Sequence, residues 1–320
     1  MTHTDTLSDW GELDPRWSGI HDEWIEVSGH PVHVLRADGP SDGTPLLLVH
    51  GLGGSATNWV EVMARLSERG PVVAPDLPGF GRTEPPRIGA ARVQNNARFV
   101  WSLARELGWD RVELHGNSMG GLLSALVAAD APELVDRLFL VAPGLPAPVA
   151  AVHRIPRMAL VTFAAFVVPG LGQRVLRRRY RRLDAEQLYE MTLDLVHHDP
   201  TRVRPAVREI ALANVEFGRE ADWRLPAFVA AAESLVALHV GRRRVHAAID
   251  AITCPTTVVW GEHDQLVGRH VIDHLRERRP DWRFEILDDC GHVPMIEWPD
   301  RYLDLVVSEP SLEVPAPASA

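Results

Sequence analysis

Residues 112–129, VELHGNSMGGLLSALVAA, constrain this chain more than any other stretch. Val112, Glu113 and Leu114 read as a short strand. Gly116-Asn117-Ser118-Met119-Gly120 follows, and then Leu122, Leu123, Leu126 and Val127 recur at helical spacing. A serine therefore sits on a tight turn between a strand and a helix. Gly116 and Gly120 carry no Cβ, so strand and helix can close around it. The helix start adds the positive end of a dipole, and the Met119 N–H there can stabilise a developing oxyanion. A serine in that position needs only a base to act as a nucleophile.

The rest of the chain alternates strand and helix around this turn. Residues 1–22 read as an N-terminal extension without periodicity, with Trp10 and Trp17 expected to pack on the surface of the body. Trp24–Val27 and Val32–Arg36 flank Ser28-Gly29-His30-Pro31 as a hairpin. Leu46–Val49, Val72–Ala74 and Leu138–Val141 are apolar runs, as expected of strands buried on both faces. Helices are expected from Thr57 or Asn58, as N-cap, to Glu68, and from Ala90 to Leu107. This order gives an α/β fold with a mostly parallel, doubly wound sheet, which binds ligands at the carboxyl ends of its strands.

After Ala142-Pro143-Gly144 the alternation stops. Residues 145–250 hold helical patterns (Val152–Val168, Ala185–Val196, Val203–Asn214, Leu225–Leu238) and read as a helical cap, or lid, inserted after the sixth strand. The sheet resumes at Thr256–Trp260, ends at Arg283–Leu287, and a helix from Met295 to Val307 closes it. The expected division is a body at 23–144 and 251–308, the cap at 145–250, and a disordered tail at 309–320.

Three loops at strand ends complete the pattern: His50-Gly51-Leu52-Gly53-Gly54, Gly261-Glu262-His263-Asp264-Gln265 and Gly291-His292-Val293-Pro294. With the Asp76-Leu77-Pro78-Gly79-Phe80-Gly81 loop and the serine turn, the body resembles the α/β-hydrolase superfamily, in the serine-triad branch with a helical cap. The turn is similar to that family's nucleophile elbow. The resemblance implies a nucleophile, acid and base in the order Ser118, Asp264, His292, and an oxyanion hole formed by the Met119 and Leu52 N–H groups. The chemistry agrees with this order. Serine is a poor nucleophile without a base, and a histidine base needs an acceptor on its other ring nitrogen to fix the tautomer. Asp288, Asp289 and Glu262 are lesser candidates for that acceptor. Asp76 and His50 read as structural. Gly51, Gly53, Asn117, Phe163 and Phe166 are the expected substrate-binding residues.

Haloalkane dehalogenases and epoxide hydrolases share similar loops but carry aspartate at the elbow. Serine there implies acyl transfer through a serine ester, and hydrolysis of a lipophilic carboxylic ester is the leading expectation. The Gly-Asn-Ser-Met-Gly-Gly elbow is also similar to that of carbon–carbon bond hydrolases acting on vinylogous diketones. A receptor that keeps the fold and signals through its cap is a third reading.

Composition narrows the partners. The net charge is -10 and none of the 33 basic residues is lysine, which argues against nucleic acid and excludes a lysine Schiff base. Neither Cys254 nor Cys290 suggests a disulfide framework or a zinc site; no metal or cofactor is expected, and a reducing cytoplasm is. The N-terminus lacks a signal-peptide pattern. Met158–Val168, MALVTFAAFVV, is too short to span a bilayer, and a helix apolar all round is expected to be buried or to lie against something greasy. The cap holds 16 Arg against 11 Asp plus Glu, leaving 17 Arg against 32 acids elsewhere. Pro169-Gly170-Leu171-Gly172 reads as a hinge, and Arg177–Arg182 as a basic turn that brings weak peripheral contact with a membrane surface. The oligomeric state is left open.

Overall fold

A hairpin, β1 (Ile20–Val27) and β2 (His30–Ala37), opens the sheet in the computed structural model, which describes residues 9–146, 153–168 and 170–308. The remaining strands are β3 (Leu46–Val49), β4 (Val72–Pro75), β5 (Val112–Asn117), β6 (Val135–Val141), β7 (Thr256–Gly261) and β8 (Arg283–Leu287). Their order is β1-β2-β4-β3-β5-β6-β7-β8. β1, β2 and β4 pair antiparallel, and every other neighbour pairs parallel. The expected α/β class and mostly parallel sheet are therefore present.

All four residues of β3 are buried, which is why the run is apolar without alternation. One face packs against α2 (Val93–Glu106), α3 (Met119–Asp130) and α10 (Arg269–Arg278) through residues such as Leu47, Leu114, Leu123 and Val258. The other packs against α1 (Val60–Leu66) and α11 (Pro299–Val307) through Leu46, Leu48, Phe139 and Val259. Each such side chain contributes about 1.5–3 kcal/mol on burial.

Trp10 and Trp17 pack onto the body. Both are buried, Trp17 donates its indole N–H to Glu61 of α1 at 2.8 Å, and Trp10 donates to Asp22 of β1 at 3.1 Å. Two 3-10 turns carry them, capped by Asp9 and Asp14, so the segment has no helical or strand period to read. The first strand begins at Ile20, with this segment packed onto the sheet. A 3-10 turn at Ala56–Trp59 precedes α1; Ser55, not Thr57 or Asn58, is its N-cap, and its amide donates to the Asn58 side chain at 3.2 Å.

Between β6 and β7 the described residues form only helices: α4 (Arg157–Phe163), α5 (Leu171–Arg182), α6 (Ala185–Val196), α7 (Pro205–Glu220), α8 (Arg224–Val240) and α9 (Arg243–Ala251). Two differ from expectation. The apolar run is a short helix followed by a 3-10 turn at Ala164–Phe166, and it is not buried all round: Val161 is 72% exposed and Val167 65%. The arginine run is helix α5, not a turn. The expected tail at 309–320 lies outside the described residues.

Candidate active site

The geometry starts at the end of β5. Ser118 has φ +55° and ψ −116°, a conformation costly for any residue with a side chain. It persists because the backbone on either side is pinned. The Ser118 N–H donates to the Val141 carbonyl at 2.9 Å, and the Ser118 carbonyl accepts from Gly144 at 2.8 Å and Leu122 at 3.2 Å. A Cβ on Gly116 would lie 2.3 Å from the Gly120 carbonyl oxygen, and one on Gly120 would lie 2.2 Å from the Val49 oxygen. Both glycines are therefore needed for strand, turn and helix to meet. Within the elbow, Asn117, Met119 and Gly120 are buried, while Ser118 is half-buried and reachable.

Met119 is the first residue of α3, so its N–H is one of the first-turn amides without an acceptor in the helix. The loop after β3 comes against the serine: a Cβ on Gly51 would sit 3.0 Å from Ser118 Cβ. His50 holds this loop. Its Nδ1 donates to the Gly51 carbonyl at 2.7 Å, and its Nε2 accepts the Leu77 N–H at 3.1 Å. Complete burial pulls its pKa down to about 4, so the ring is neutral and fully engaged. Gly53, at φ +79°, faces the ring of Phe228 in α8.

Asp264 and His292 meet across the ends of β7 and β8. His292 Nδ1 and Asp264 Oδ2 lie 2.7 Å apart, and both residues are buried. The other carboxylate oxygen of Asp264 accepts the Leu266 and Val267 amides at 2.8 and 2.9 Å, which fixes its orientation. The rival acids are engaged elsewhere. Asp288 pairs with Arg301 at 2.9 Å, Asp289 with Arg202 at 2.5 Å, and Glu262 with Arg269 at 3.0 Å. The Asn117 amide donates to the His292 carbonyl at 3.0 Å, so the histidine loop is tied to the residue that precedes Ser118. Ser118, Asp264 and His292 thus gather at the carboxyl edge of the sheet, with the Leu52 loop beside them.

Residues 44–299 match the model of the alpha/beta hydrolase fold family. The chain belongs to the α/β-hydrolase fold family. It is similar to Lipase 1 of Psychrobacter immobilis, 26% identical over 272 residues that cover 85% of this chain and 78% of that protein. It is also similar to a 2-hydroxy-6-oxononadienedioate/2-hydroxy-6-oxononatrienedioate hydrolase of Burkholderia vietnamiensis, 27% identical over 88% of this chain and 92% of that one. Among solved structures, a membrane phospholipase A described as a bacterial virulence factor superposes with a TM-score of 0.71, 26% identity, and coverage of 92% and 87%. The protein is an α/β-hydrolase enzyme.

The helices between β6 and β7 pack against the Leu52 loop. Phe166 is buried, its ring centroid 6.1 Å from that of Phe228, and Phe163 and Leu52 pack in the same apolar cluster. Asn117 does not belong with them as a substrate contact. It is buried, and its amide is spent on the Val141 and His292 carbonyls.

Asp76 is structural. It accepts the amides of Ala56 and Arg82, each at 2.7 Å, and pairs with His33 at 2.8 Å. Burial pushes its carboxyl up, but the charge and hydrogen bonds of His33 outweigh this and hold it at about 2. Burial likewise pulls His33 down, and Asp76 and Asp22 outweigh that, raising it to about 9. Cys290 is wholly buried, and burial pushes its thiol far up, so it is a filler and no nucleophile.

Sequence reading missed Glu297. This buried carboxylate accepts the Gly291 amide at 2.7 Å, the His198 amide at 3.1 Å and the Asp199 amide at 2.7 Å. It joins the loop that carries His292 to the loop after α6, and the Val196 carbonyl accepts the His292 N–H at 2.8 Å beside it. The available signal was an acid in the otherwise apolar Pro294-Met295-Ile296 turn, directly after the histidine loop.

Proposed function

We propose that the enzyme hydrolyses a lipophilic carboxylic ester through an acyl-enzyme on Ser118. His292 takes the serine proton as general base and returns it to the leaving alcohol. Asp264 fixes the histidine tautomer and stabilises the imidazolium. The Met119 and Leu52 N–H groups hold the tetrahedral oxyanion, and water then attacks the acyl ester with His292 again as base. The observation that carries this reading is the 2.7 Å pairing of His292 with a doubly anchored Asp264, at the sheet edge that holds the strained Ser118.

The apolar cluster of Leu52, Phe163, Phe166 and Phe228 supports a lipophilic acyl or alkyl group as the recognised part. Similarity to the lipase of Psychrobacter immobilis supports the same choice. A second reading, carbon–carbon bond hydrolysis, is favoured by the near-complete coverage of the Burkholderia vietnamiensis hydrolase. Cys254 and Cys290 are unpaired, which fits a reducing compartment such as the cytoplasm.

The deciding experiment is a panel of p-nitrophenyl esters of increasing acyl length beside a vinylogous diketone substrate. Ester hydrolysis with kcat/KM rising beyond acetate, by up to about 0.8 kcal/mol per buried methylene, is expected. Phe163→Asp should harm long-chain turnover more than acetate turnover. Flat or falling rates with chain length would defeat the lipophilic assignment, and turnover of the diketone alone would select the second reading.

A further inference from the structure

The corner between α4 and α5 presents an unusual face. Among the described residues fourteen large apolar side chains are exposed, and seven of these lie between Met158 and Val175. Half the exposed apolar side chains thus fall in a small fraction of the chain, which marks a patch rather than scatter. Val161 is 72% exposed, Val167 65%, Val168 52% and Leu160 49%. These residues have no room to turn inward. Phe166 fills the underside of the corner, where a Cβ on Gly172 would lie 2.4 Å from its ring, and the Phe166 ring rests on Phe228. The two helical segments meet at 109°.

Charge borders this patch on one side only. Residues 151–183 contain eight arginines and no aspartate or glutamate. On α5, Leu171, Arg174, Val175, Arg178, Arg181 and Arg182 follow at helical spacing and are all exposed. One helix face therefore runs from apolar at the corner to cationic at its far end. Three arginines elsewhere in the cap are paired with carboxylates: Arg204 with Glu61 at 3.0 Å, Arg208 with Glu190 at 3.0 Å, and Arg202 with Asp289 at 2.5 Å. No ion pair among the described residues joins a carboxylate to an arginine of α5. The remainder of the chain is strongly acidic, with 17 Arg against 32 Asp plus Glu outside 145–250. An anionic surface would repel that body and attract this face, which sets one orientation.

We propose that the α4–α5 corner docks on an anionic lipid bilayer. Val161, Val167 and Val168 enter the boundary between headgroups and acyl chains, and the α5 arginines lie on the headgroups. A second copy of the chain is a poorer occupant, because a two-fold contact would bring the two arginine faces together. The proposal deepens the lipophilic-ester reading by naming where such a substrate is met, yet it rests on this surface and not on the chemistry at Ser118.

Co-sedimentation of the full chain with phosphatidylcholine vesicles, with and without phosphatidylglycerol, at low and high salt, tests it. Binding is expected only with phosphatidylglycerol, and it weakens as salt rises. Each arginine replaced costs about five-fold in partitioning, so the combination of Arg178→Gln, Arg181→Gln and Arg182→Gln loses on the order of 100-fold. Val161→Asp with Val167→Asp removes binding at low salt. Both variants keep wild-type turnover of a water-soluble acetate ester, which shows that they are folded. Ser118→Ala binds vesicles as wild type does, so the docking stands or falls apart from the hydrolytic mechanism. Equal partitioning onto neutral and anionic vesicles, or unchanged binding by the arginine variant, overturns the proposal. So does a dimer in light scattering that Val161→Asp with Val167→Asp abolishes, since the face would then be self-association.

Discussion

Replacing Ser118 with glycine should stabilise the protein relative to Ser118→Ala, although both remove the nucleophile. Ser118 sits at φ +55°, ψ −116°, held there by hydrogen bonds to Val141, Gly144 and Leu122. A side chain in such a conformation costs about 1–3 kcal/mol. Glycine removes that cost and adds about 0.5–1 kcal/mol of unfolded-state entropy. Comparing glycine with alanine cancels the loss of the hydroxyl, and strain relief wins by roughly 0.5–2 kcal/mol. For a chain of this size the unfolding entropy converts that into a Tm about 1–3 °C higher for Ser118→Gly. Calorimetry on the two variants, with urea midpoints as a second probe, measures the difference. A Ser118→Gly variant no more stable than Ser118→Ala would show that the elbow stores no strain.

Three other outcomes are expected. Asp264→Asn should lower kcat by roughly 10⁴-fold through the wrong histidine tautomer, while Asp288→Asn and Asp289→Asn stay near wild type; the reverse pattern would move the acid. Glu297→Gln places a donor against amides that already donate, so kcat should fall well beyond KM and the pH–rate profile should shift as the His292 loop loosens, whereas Glu297→Asp should recover part of the loss; an unchanged pH profile would make Glu297 merely structural. The His33 pair should make stability pH-dependent. With the folded pKa raised from 6.5 to about 9, its contribution is complete below pH 6.5 and is lost as pH rises through 9. Tm should therefore decline across that window in wild type and decline less in His33→Gln, and equal slopes would refute the assignment.

The sequence spoke clearly where a residue type had one physical use. Gly116 and Gly120 flank a change from strand to helix period, and both are held against backbone oxygens that admit no side chain. Leu46–Val49 and Ala185–Val196 match their elements residue for residue, the first because every side chain is buried, the second because Asp184 and Gln187 cap it as a box. Elsewhere local reading failed for identifiable reasons. α5 was hidden because Gly170 and Gly172 look like a break and six consecutive residues are Arg or Tyr, yet Gly170 is the left-handed N-cap and arginine is a good helix former. Trp10 and Trp17 owe their burial to Asp22 and Glu61, partners that no local pattern reveals. Asn117 read as a pocket residue from its place beside Ser118, but its amide is bonded to the Val141 and His292 carbonyls, partners that no local pattern reveals. Glu297 gave only the weak signal of an acid in an apolar turn, because two of its partners, the His198 and Asp199 amides, lie about a hundred residues earlier in the chain.

The central claim is that Ser118 is the nucleophile, activated by His292. Treating the intact protein with a fluorophosphonate and locating the adduct by peptide mass spectrometry tests it most directly. The account predicts one adduct per chain, on Ser118, absent from Ser118→Ala and formed at least orders of magnitude more slowly in His292→Ala. An adduct on another residue, or a Ser118 that stays unlabelled in a folded enzyme with ester turnover, would contradict it.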